Sequence, residues 1–514
     1  MGTPGLKEVF FRDFKGGLVS NLPSTALALD QAQDLKNILI LPGGTGFVNR
    51  PGNSALTTTI GAADVIQGLG YYQQADADEW LLCVGNAAVY KMDDLDATPD
   101  DITGSLTITE DADEIWDIFT FRDIAIGVGA QDAPWQWNGA GDAAVLGGSP
   151  PSGTGGFAAN NRLFIYGASA TPSRINWSTL TDMEDWSSAG SGNATVAEDD
   201  GSTLIGHSVI SNDIVLLFKE NSVHRFLTRT SPFSLTPLFT KGRKGEVVGA
   251  AGKNAIVNAK GITYFITPEP RMKATDGVSL IDFPPFINDK WDALNTSRLK
   301  YIYGFYAKGK YSEYIIWLCS TGTATTHNLA IVWDINNKCW LQFDGGFNAN
   351  VACTTNDGTI YTGHYDGIIY KQFDETTYVD ASNSNASISW LWQGGWWASN
   401  QLQSIKRPKR FATMHKIQKL GSYSMTYSYD LGKATYTLPI SLTAGGVRYD
   451  NGAKYDDGVS KYAFEGDFLH NEILTDRGNL FNIQFSGASE VESKIYNFSL
   501  MGPPEAGTKE FKQI

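Results

Sequence analysis

The amino-acid sequence predicts an all-β protein, with a β-propeller of seven or six blades followed by a C-terminal β-sandwich. Three features of its 514 residues support this prediction. Glycine is abundant, with 54 residues, and aromatic side chains make up 12%, which is typical of many short strands joined by tight turns. Apolar runs are short and are interrupted by Gly, Asn, Asp and Pro. Strand pairs also recur at intervals of about 40–50 residues, the spacing of propeller blades.

The repeated unit consists of an apolar strand, a turn of small residues and a second strand, as in GTIYTGHYDGIIYK at residues 358–371. Because a single blade cannot bury both faces of its sheet, the units are expected to close into a ring. Six blades, or a pair of β-sandwiches, are the alternatives. The seven candidate units have strands that begin near Leu81, Ala125, Leu163, Ile214, Ile262, Ile315 and Thr359.

Changes in composition divide the chain into five segments. They are an N-terminal extended assembly segment (1–60), the β-propeller (61–375), a polar linker (376–387), the β-sandwich domain (388–501) and a C-terminal tail (502–514). Helical periodicity is confined to the stretch from Asp30 to Ile38, where a helix of two turns is expected. The sequence has no apolar run long enough to span a membrane and no signal-peptide pattern, so we expect synthesis in a cytoplasm.

The net charge of −15 is concentrated in the N-terminal part of the chain. Residues 1–150 contain 7 Lys or Arg and 21 Asp or Glu, a net charge of −14. An acidic surface repels DNA, which argues against a protein that grips DNA but not against a wall past which DNA slides. A set of solvated loops is the alternative interpretation. The candidate residues for an acidic channel wall are Asp93, Asp94, Asp96, Asp100, Asp101, Glu110, Asp111, Asp113 and Glu114.

The C-terminal part contains a tryptophan-rich strand and a basic run. Trp396 and Trp397 could form a sugar-stacking platform, although a domain core or a subunit interface is favoured. The basic run lacks a wider basic field, which favours an acidic partner surface or a solvated edge over nucleic acid. The candidate residues for an assembly interface are therefore Lys406, Arg407, Lys409, Arg410, Trp396 and Trp397.

Sequence motifs for catalysis and metal binding are missing. The six histidines are all more than five residues apart, and neither HExxH nor GxSxG occurs. The four cysteines form no CxxC pair, which leaves a zinc site unsupported. The stretch around Gly252, Lys253 and Asn254 fails as a phosphate loop because its first glycine and its Ser or Thr are replaced. We therefore expect no catalytic, cofactor-binding or metal-binding residues, and no enzyme activity.

Three stretches carry a family resemblance. The first runs from residue 10 to residue 52, FFRDFKGGLVSNLPSTALALDQAQDLKNILILPGGTGFVNRPG. The second, residues 160–186, contains a strand that leads to a Trp-Ser-x-Leu-x-Asp turn. The third, residues 214–250, is a hairpin followed by a basic glycine loop. In this order they resemble the tail nozzle and tail-needle hub proteins of short-tailed bacteriophages, the podoviruses, over residues 10–345.

The resemblance implies a structural virion protein without a cofactor. Such proteins form a ring, usually of six copies, below the portal and the tail adaptor, and the needle, tip or fibre proteins attach beneath it. The ring forms the lower DNA channel, retains the genome until infection and lets double-stranded DNA pass without binding it specifically. The alternatives are a propeller enzyme that degrades glycans, and a receptor-binding or glycan-binding tail module.

Overall fold

We analysed a computed structural model of the chain. It describes residues 7–57, 59–60, 64–75, 78–93, 98–230, 232–240, 248–397, 410–417, 421–442, 467–474, 480–488 and 492–502. No helix within these ranges is long and apolar enough to cross a membrane. The N-terminal strands are β1 (Lys7–Phe11), β2 (Gly17–Leu18), β3 (Gln31–Lys36), β4 (Ile38–Ile40), β5 (Phe47–Asn49) and β6 (Gly52–Ala55).

A seven-bladed propeller follows, and the strands of each blade are antiparallel neighbours in chain order. Blade one contains β7 (Ile66–Gln73), β8 (Glu79–Gly85), β9 (Ala88–Asp93) and β10 (Asp100–Asp101), and blade two contains β11 (Asp117–Phe121), β12 (Ile124–Val128), β13 (Trp135–Trp137) and β14 (Ala144–Val145). Blade three contains β15 (Gly155–Ala159), β16 (Arg162–Ala168), β17 (Thr171–Trp177) and β18 (Gly192–Thr195). Blade four contains β19 (Leu204–Ser211), β20 (Ile214–Lys219), β21 (Val223–Leu227) and β22 (Ser234–Phe239). Blades five to seven are β23 (Ile256–Ala259), β24 (Ile262–Ile266), β25 (Met272–Thr275) and β26 (Leu280–Asp282); β27 (Tyr303–Lys308), β28 (Glu313–Cys319), β29 (Leu329–Asp334) and β30 (Cys339–Phe343); and β31 (Ala349–Thr354), β32 (Ile360–His364) and β33 (Ile369–Asp374).

The ring closes between the seventh blade and the first. The first strand of each blade lies beside the first strand of the next, and β31 lies beside β7. The fourth strand of blade seven comes from the N-terminal segment, because β6 pairs antiparallel with β33, with Ala55 opposite Tyr370 and Asn53 opposite Gln372. The propeller and its seven blades confirm the fold predicted from the repeats.

All seven predicted repeat starts fall on or beside the second strand of a blade. These strands are largely buried on both faces and most of them are therefore rich in apolar residues, as in β28, where six of the seven residues are buried. The first strands have a weaker apolar pattern in the sequence because some of their positions are glycines, which allow close packing between blades. A Cβ atom at Gly70 of β7, for example, would lie 2.5 Å from Ile118 Cγ2 in β11.

Two six-stranded sheets combine the two ends of the chain. The C-terminal strands are β34 (Val379–Asp380), β35 (Ala386–Ser387), β36 (Ser389–Gly394), β37 (Arg410–Ile417), β38 (Gly421–Tyr429), β39 (Ala434–Leu442), β40 (Asp467–Ile473), β41 (Phe481–Ala488) and β42 (Ser493–Gly502). One sheet contains β1, β4, β5, β42, β37 and β40, and the other contains β2, β3, β36, β41, β38 and β39. Aromatic side chains of the two sheets are in contact, with Phe47 stacked 5.8 Å from Trp392 and Phe485 5.1 Å from Phe498.

These sheets differ from the segments drawn from the sequence. Segment 1–60 contributes β1 to β5 to the two six-stranded sheets, here called the two-sheet unit, and β6 to blade seven. Segment 376–387 contributes β34 and β35 to the edge of blade seven. The two sheets contain the C-terminal strands β36 to β42 together with N-terminal strands, whereas tail residues 503–514 lie outside the described residues.

Helices are few and short. The α-helix α1 is Asn288–Asp292, and the 3₁₀ helices are Pro42–Gly44, Glu198–Asp200, Thr296–Tyr301, Ala381–Asn383 and Asp430–Gly432. The helix predicted around Asp30 to Ile38 is wrong, because these residues form β3 and the start of β4. Pairing of Leu35 with Trp392 of β36 buries the apolar residues and outweighs the local helical pattern.

Arg50 joins the N-terminal segment to the propeller. Its side chain is fully buried and donates hydrogen bonds to the carbonyl oxygens of Gly345 at 2.9 Å and of Pro51 at 3.1 Å. The guanidinium also lies 4.9 Å from the centre of the Phe347 ring. Burial lowers the pKa of Arg50 to about 10, so the group stays cationic at neutral pH. The Arg50-Pro51-Gly52 motif is thus an anchor between β5 and the loop from blade six to blade seven.

Candidate functional site

The propeller axis is bridged by a lysine on one face. We call this the axial face, formed by the loops that lead into the first strand of each blade. Lys253, before β23, donates hydrogen bonds to the carbonyl oxygen of Ile115 at 2.9 Å and to that of Thr154 at 2.6 Å, and its Nζ pairs with Asp117 Oδ1 at 3.0 Å. The ammonium group is thus held by two hydrogen bonds and one ion pair. Lys253 therefore ties blade five to the beginnings of blades two and three.

The acceptor carboxylate is itself held by its surroundings. Asp117 Oδ2 accepts a hydrogen bond of 3.2 Å from the backbone N–H of Gly156. The side chains of Lys253 and Asp117 are only 12% and 18% exposed, so the pair is largely shielded from water. A charge pair in such a place requires both partners, because removing one leaves the other buried and uncompensated.

A neutral histidine lies beside this ion pair. The hydroxyl of Tyr166 and Nδ1 of His207 are hydrogen-bonded at 3.0 Å. Burial lowers the pKa of His207 to about 4, with the carboxylate of Asp117 opposing this shift and Lys253 adding to it. His207 is therefore uncharged at neutral pH and serves as a packed polar group.

A second bridge crosses the axial face. Arg298, before β27, pairs at 2.7 Å with Asp113 in the loop between β10 and β11. Its guanidinium also lies 3.9 Å from the centre of the Tyr301 ring. Nearby, His327 has both ring nitrogens at hydrogen-bonding distance from carbonyl oxygens, 2.6 Å from Ala349 and 2.9 Å from Tyr301. Blades two, six and seven are thereby joined through polar contacts.

The chemistry open to this site is limited. Lys253 is held by two hydrogen bonds and an ion pair, and burial lowers the pKa of His327 as it does that of His207. Within the described ranges, no three His, Cys, Asp or Glu side chains are placed to hold a metal ion. The arrangement is suited to holding blades together.

Burial of histidines makes stability pH-dependent. Burial lowers the pKa of both His207 and His364 to about 4, whereas an unfolded histidine titrates near 6.5. Between these values the unfolded chain binds more protons, so stability falls as the pH drops from about 6.5 towards 4. Each histidine is expected to lower the free energy of unfolding by about 2 kcal/mol at about pH 5. Denaturant unfolding across this range measures the loss. Substituting both residues with Gln should reduce the slope of the profile, since other buried histidines such as His327 remain, and a wild-type profile that is already flat would contradict the expectation.

The acidic residues predicted for a channel wall occupy two separate places. Asp93 ends β9, and Asp100 and Asp101 form β10, so these three exposed carboxylates lie on the outer edge of blade one. Lys91 partly neutralises them, at 2.7 Å from Asp93 and 3.6 Å from Asp100. Charges on an edge strand also discourage pairing with another chain. Asp94 and Asp96 lie outside the described residues.

The other four acidic residues lie in the loop that leads from this edge to the axial face. Asp111 accepts a 2.7 Å hydrogen bond from Gln131, and Asp113 pairs with Arg298. Glu114 is buried and accepts the backbone N–H of Gln131 at 3.0 Å, and burial raises its pKa. Glu110 begins the same stretch and is exposed, as is Asp113, so carboxylates open to solvent lie in this loop as well as on the outer edge.

The candidate assembly residues are only partly described. Trp396 and Trp397 are half-buried, and their backbone N–H groups donate to the carbonyl oxygens of Ser24 at 2.8 Å and Phe481 at 2.7 Å. They border a small apolar cavity of about 30 Å³ in the two-sheet unit. Arg410 begins β37, between β40 and β42. Lys406, Arg407 and Lys409 lie outside the described residues, so the structure describes only three of the six candidates.

Comparisons with known proteins give structural neighbours alone. No protein-family model matches the chain, and no curated protein is similar to it in sequence. Among solved structures, BamB from Moraxella catarrhalis is 12% identical over 65% of this chain and 94% of its own, with a TM-score of 0.37. YCF48 from Cyanidioschyzon merolae is 10% identical over 62% and 98%, with a TM-score of 0.41. The extracellular domain of BT4673 from B. thetaiotaomicron is 10% identical over 77% and 45%, with a TM-score of 0.44.

Proposed function

We propose that this chain is a non-enzymatic structural subunit of a short-tailed bacteriophage tail, of the nozzle or hub type. Six copies form a ring between the tail adaptor above and the needle, tip or fibre proteins below. The ring retains the genome and lets double-stranded DNA pass during ejection. The chain is synthesised in the host cytoplasm and functions in the virion.

The observation that carries this proposal is the bridged axial face. A substrate that entered the propeller axis there would have to displace Lys253, at the cost of its two charged hydrogen bonds and its ion pair with Asp117. A body whose axis is held closed by its own side chains is suited to transmit load and to present its outer surface to partners. This favours a structural subunit over an enzyme with an axial active site.

The distribution of charge supports the same function. Asp93, Asp100 and Asp101 are exposed at the outer edge of blade one, and residues 1–150 hold a net charge of −14. A lumen lined by such edges offers DNA no cationic contacts, so passage is not slowed by phosphate binding. The ring requires head-to-tail contacts between copies. Such contacts produce a closed ring when the rotation from one copy to the next is a full turn divided by a whole number.

Electron microscopy of the purified full-length chain tests the proposal. We expect rings at concentrations from micromolar to near-millimolar, and no retention of double-stranded DNA in a gel-shift assay at low salt. A chain that stays monomeric over this range, or rings that bind DNA tightly, would contradict it. Release of oligosaccharides from a panel of bacterial polysaccharides would overturn the non-enzymatic assignment and favour a glycan-degrading propeller.

A further inference from the structure

A crevice lies where blades six and seven meet the N-terminal segment. It encloses about 190 Å³, and its lining includes Lys308, Lys310, Lys371, Tyr311 and Pro51. We call this space the lysine crevice. It is smaller than the roughly 300–1,000 Å³ of sites for drug-sized ligands, which fits a group the size of phosphate or of one sugar ring.

Two of the three lysines make no direct ion pair among the described residues, although Lys308 lies opposite Glu313 in the sheet and Lys371 lies near Asp357 and Asp374. Lys310 Nζ pairs with Glu375 Oε2 at 2.6 Å, whereas Lys308 and Lys371 are exposed and make no ion pair in the described part of the chain. The nearby carboxylate of Asp357 accepts hydrogen bonds from the hydroxyl of Thr355 and from Thr359, whose N–H and Oγ1 both lie at 2.9 Å. These hydrogen bonds, with a smaller contribution from Lys371, lower the pKa of Asp357. The ammonium groups of Lys308 and Lys371 therefore have carboxylates nearby but remain exposed and without a direct ion pair in the described part of the chain.

The aromatic wall of the crevice is held by the two-sheet unit. The hydroxyl of Tyr311 donates to Glu492 Oε1 at 2.7 Å, and Lys494 Nζ lies 5.1 Å from the centre of the Tyr311 ring. Glu492 is buried and is also paired with Lys494 at 3.2 Å. Tyr311 is therefore fixed in place before any ligand arrives, which lowers the entropic cost of binding.

The strand beside the crevice has an unusual backbone. Phe373 has φ of 53°, in the left-handed region that bulky residues rarely adopt, at the shift of register between Gln372 and Asp374. The strain is maintained by the surrounding structure, because the Phe373 ring lies 6.0 Å from Phe347 and 6.1 Å from Phe343. Strained backbone of this kind often accompanies binding sites.

We propose that the lysine crevice binds a small anion through a phosphate or carboxylate group. The exposed ammonium groups of Lys308 and Lys371 would hold the anionic oxygens, and Tyr311 would cover the rest of the ligand. Because Leu39 and Pro51 also line the crevice, the bound anion would bridge the propeller and the N-terminal segment. This binding site goes beyond the proposed structural function and does not depend on it.

Calorimetric titration of the full-length chain tests the site with inorganic phosphate, glucuronate and neutral glucose. We expect saturable binding of phosphate or glucuronate that weakens as salt is added, and no binding of glucose. Binding of phosphate alone identifies a phosphate group as the ligand, and binding of glucuronate alone identifies an acidic sugar. Absence of binding by both anions, or equal binding of glucose, would overturn the proposal.

Two substitutions locate the binding. Lys308→Met and Lys371→Met should each weaken anion binding about tenfold or more, since each removes a charged hydrogen bond. Lys338→Met, at an exposed turn in blade six and outside the crevice, should bind as the wild type does. Lys371→Arg should retain binding, which separates loss of charge from loss of folding. If the double variant Lys308→Met/Lys371→Met binds the anion as tightly as the wild type, the crevice is not the site.

Discussion

Replacing Lys253 with methionine is expected to lower the free energy of unfolding of the propeller by about 3–5 kcal/mol. The substitution removes the cation but leaves the carboxylate of Asp117, only 18% exposed, without its partner. It also leaves the carbonyl oxygens of Ile115 and Thr154 without the donor that they share. Denaturant unfolding followed by tryptophan fluorescence measures the change at neutral pH.

Two further variants determine the cause of this loss. Lys260→Met removes a lysine that pairs with Glu313 but is 63% exposed, so it should cost about 1 kcal/mol or less. The double variant Lys253→Met/Asp117→Asn should recover part of the loss, because no buried charge is then left unpaired. If Lys253→Met lowers the free energy of unfolding no more than Lys260→Met does, then the axial bridge, formed by Lys253 and its partners Asp117, Ile115 and Thr154, does not hold the blades together.

The propeller was predictable because one strand in each blade has a distinctive pattern. Buried on both faces, the second strands give an apolar run that recurs with the blade period, such as IVLLFK in β20. The fourth strand of blade seven left no such pattern. β6 has the sequence GNSA and is separated by more than 300 residues from its neighbour β33, so only the closed ring reveals its place.

The axial bridge was not predictable from the sequence. In the sequence, Lys253 belongs only to a stretch that lacks the residues of a phosphate loop, and its acceptor Ile115 lies 138 positions away. The acidic run shows the converse, because its spacing in the sequence suggested a single surface. Its residues are close in sequence, but the chain passes from the outer edge of blade one to the axial face between Asp101 and Glu114, so neighbours in sequence belong to different surfaces.

The segment 388–501, expressed alone, is expected to be unfolded or aggregated. Both sheets of the two-sheet unit would lack N-terminal strands, and Phe14 and Phe47 would be missing from the aromatic core. In the intact chain their rings lie 5.7 Å and 5.8 Å from Trp392. Removing one buried Phe side chain costs about 3–5 kcal/mol, so losing both approaches the 5–15 kcal/mol that stabilises a whole domain. Near-ultraviolet circular dichroism and thermal melting report whether a fixed core forms.

The matched control joins residues 7–50 to residues 388–502 through a short Gly-Ser linker and leaves the propeller out. The two junctions are close in space, because Asn37 donates to the carbonyl oxygen of Ser389 at 2.7 Å and lies 3.4 Å from the Arg50 side chain. This chain restores all twelve strands of the two sheets and is expected to melt cooperatively. A cooperative melt of 388–501 alone would instead support the independent C-terminal sandwich predicted from the sequence. The N-terminal strands would then pack on a core that the C-terminal strands form by themselves.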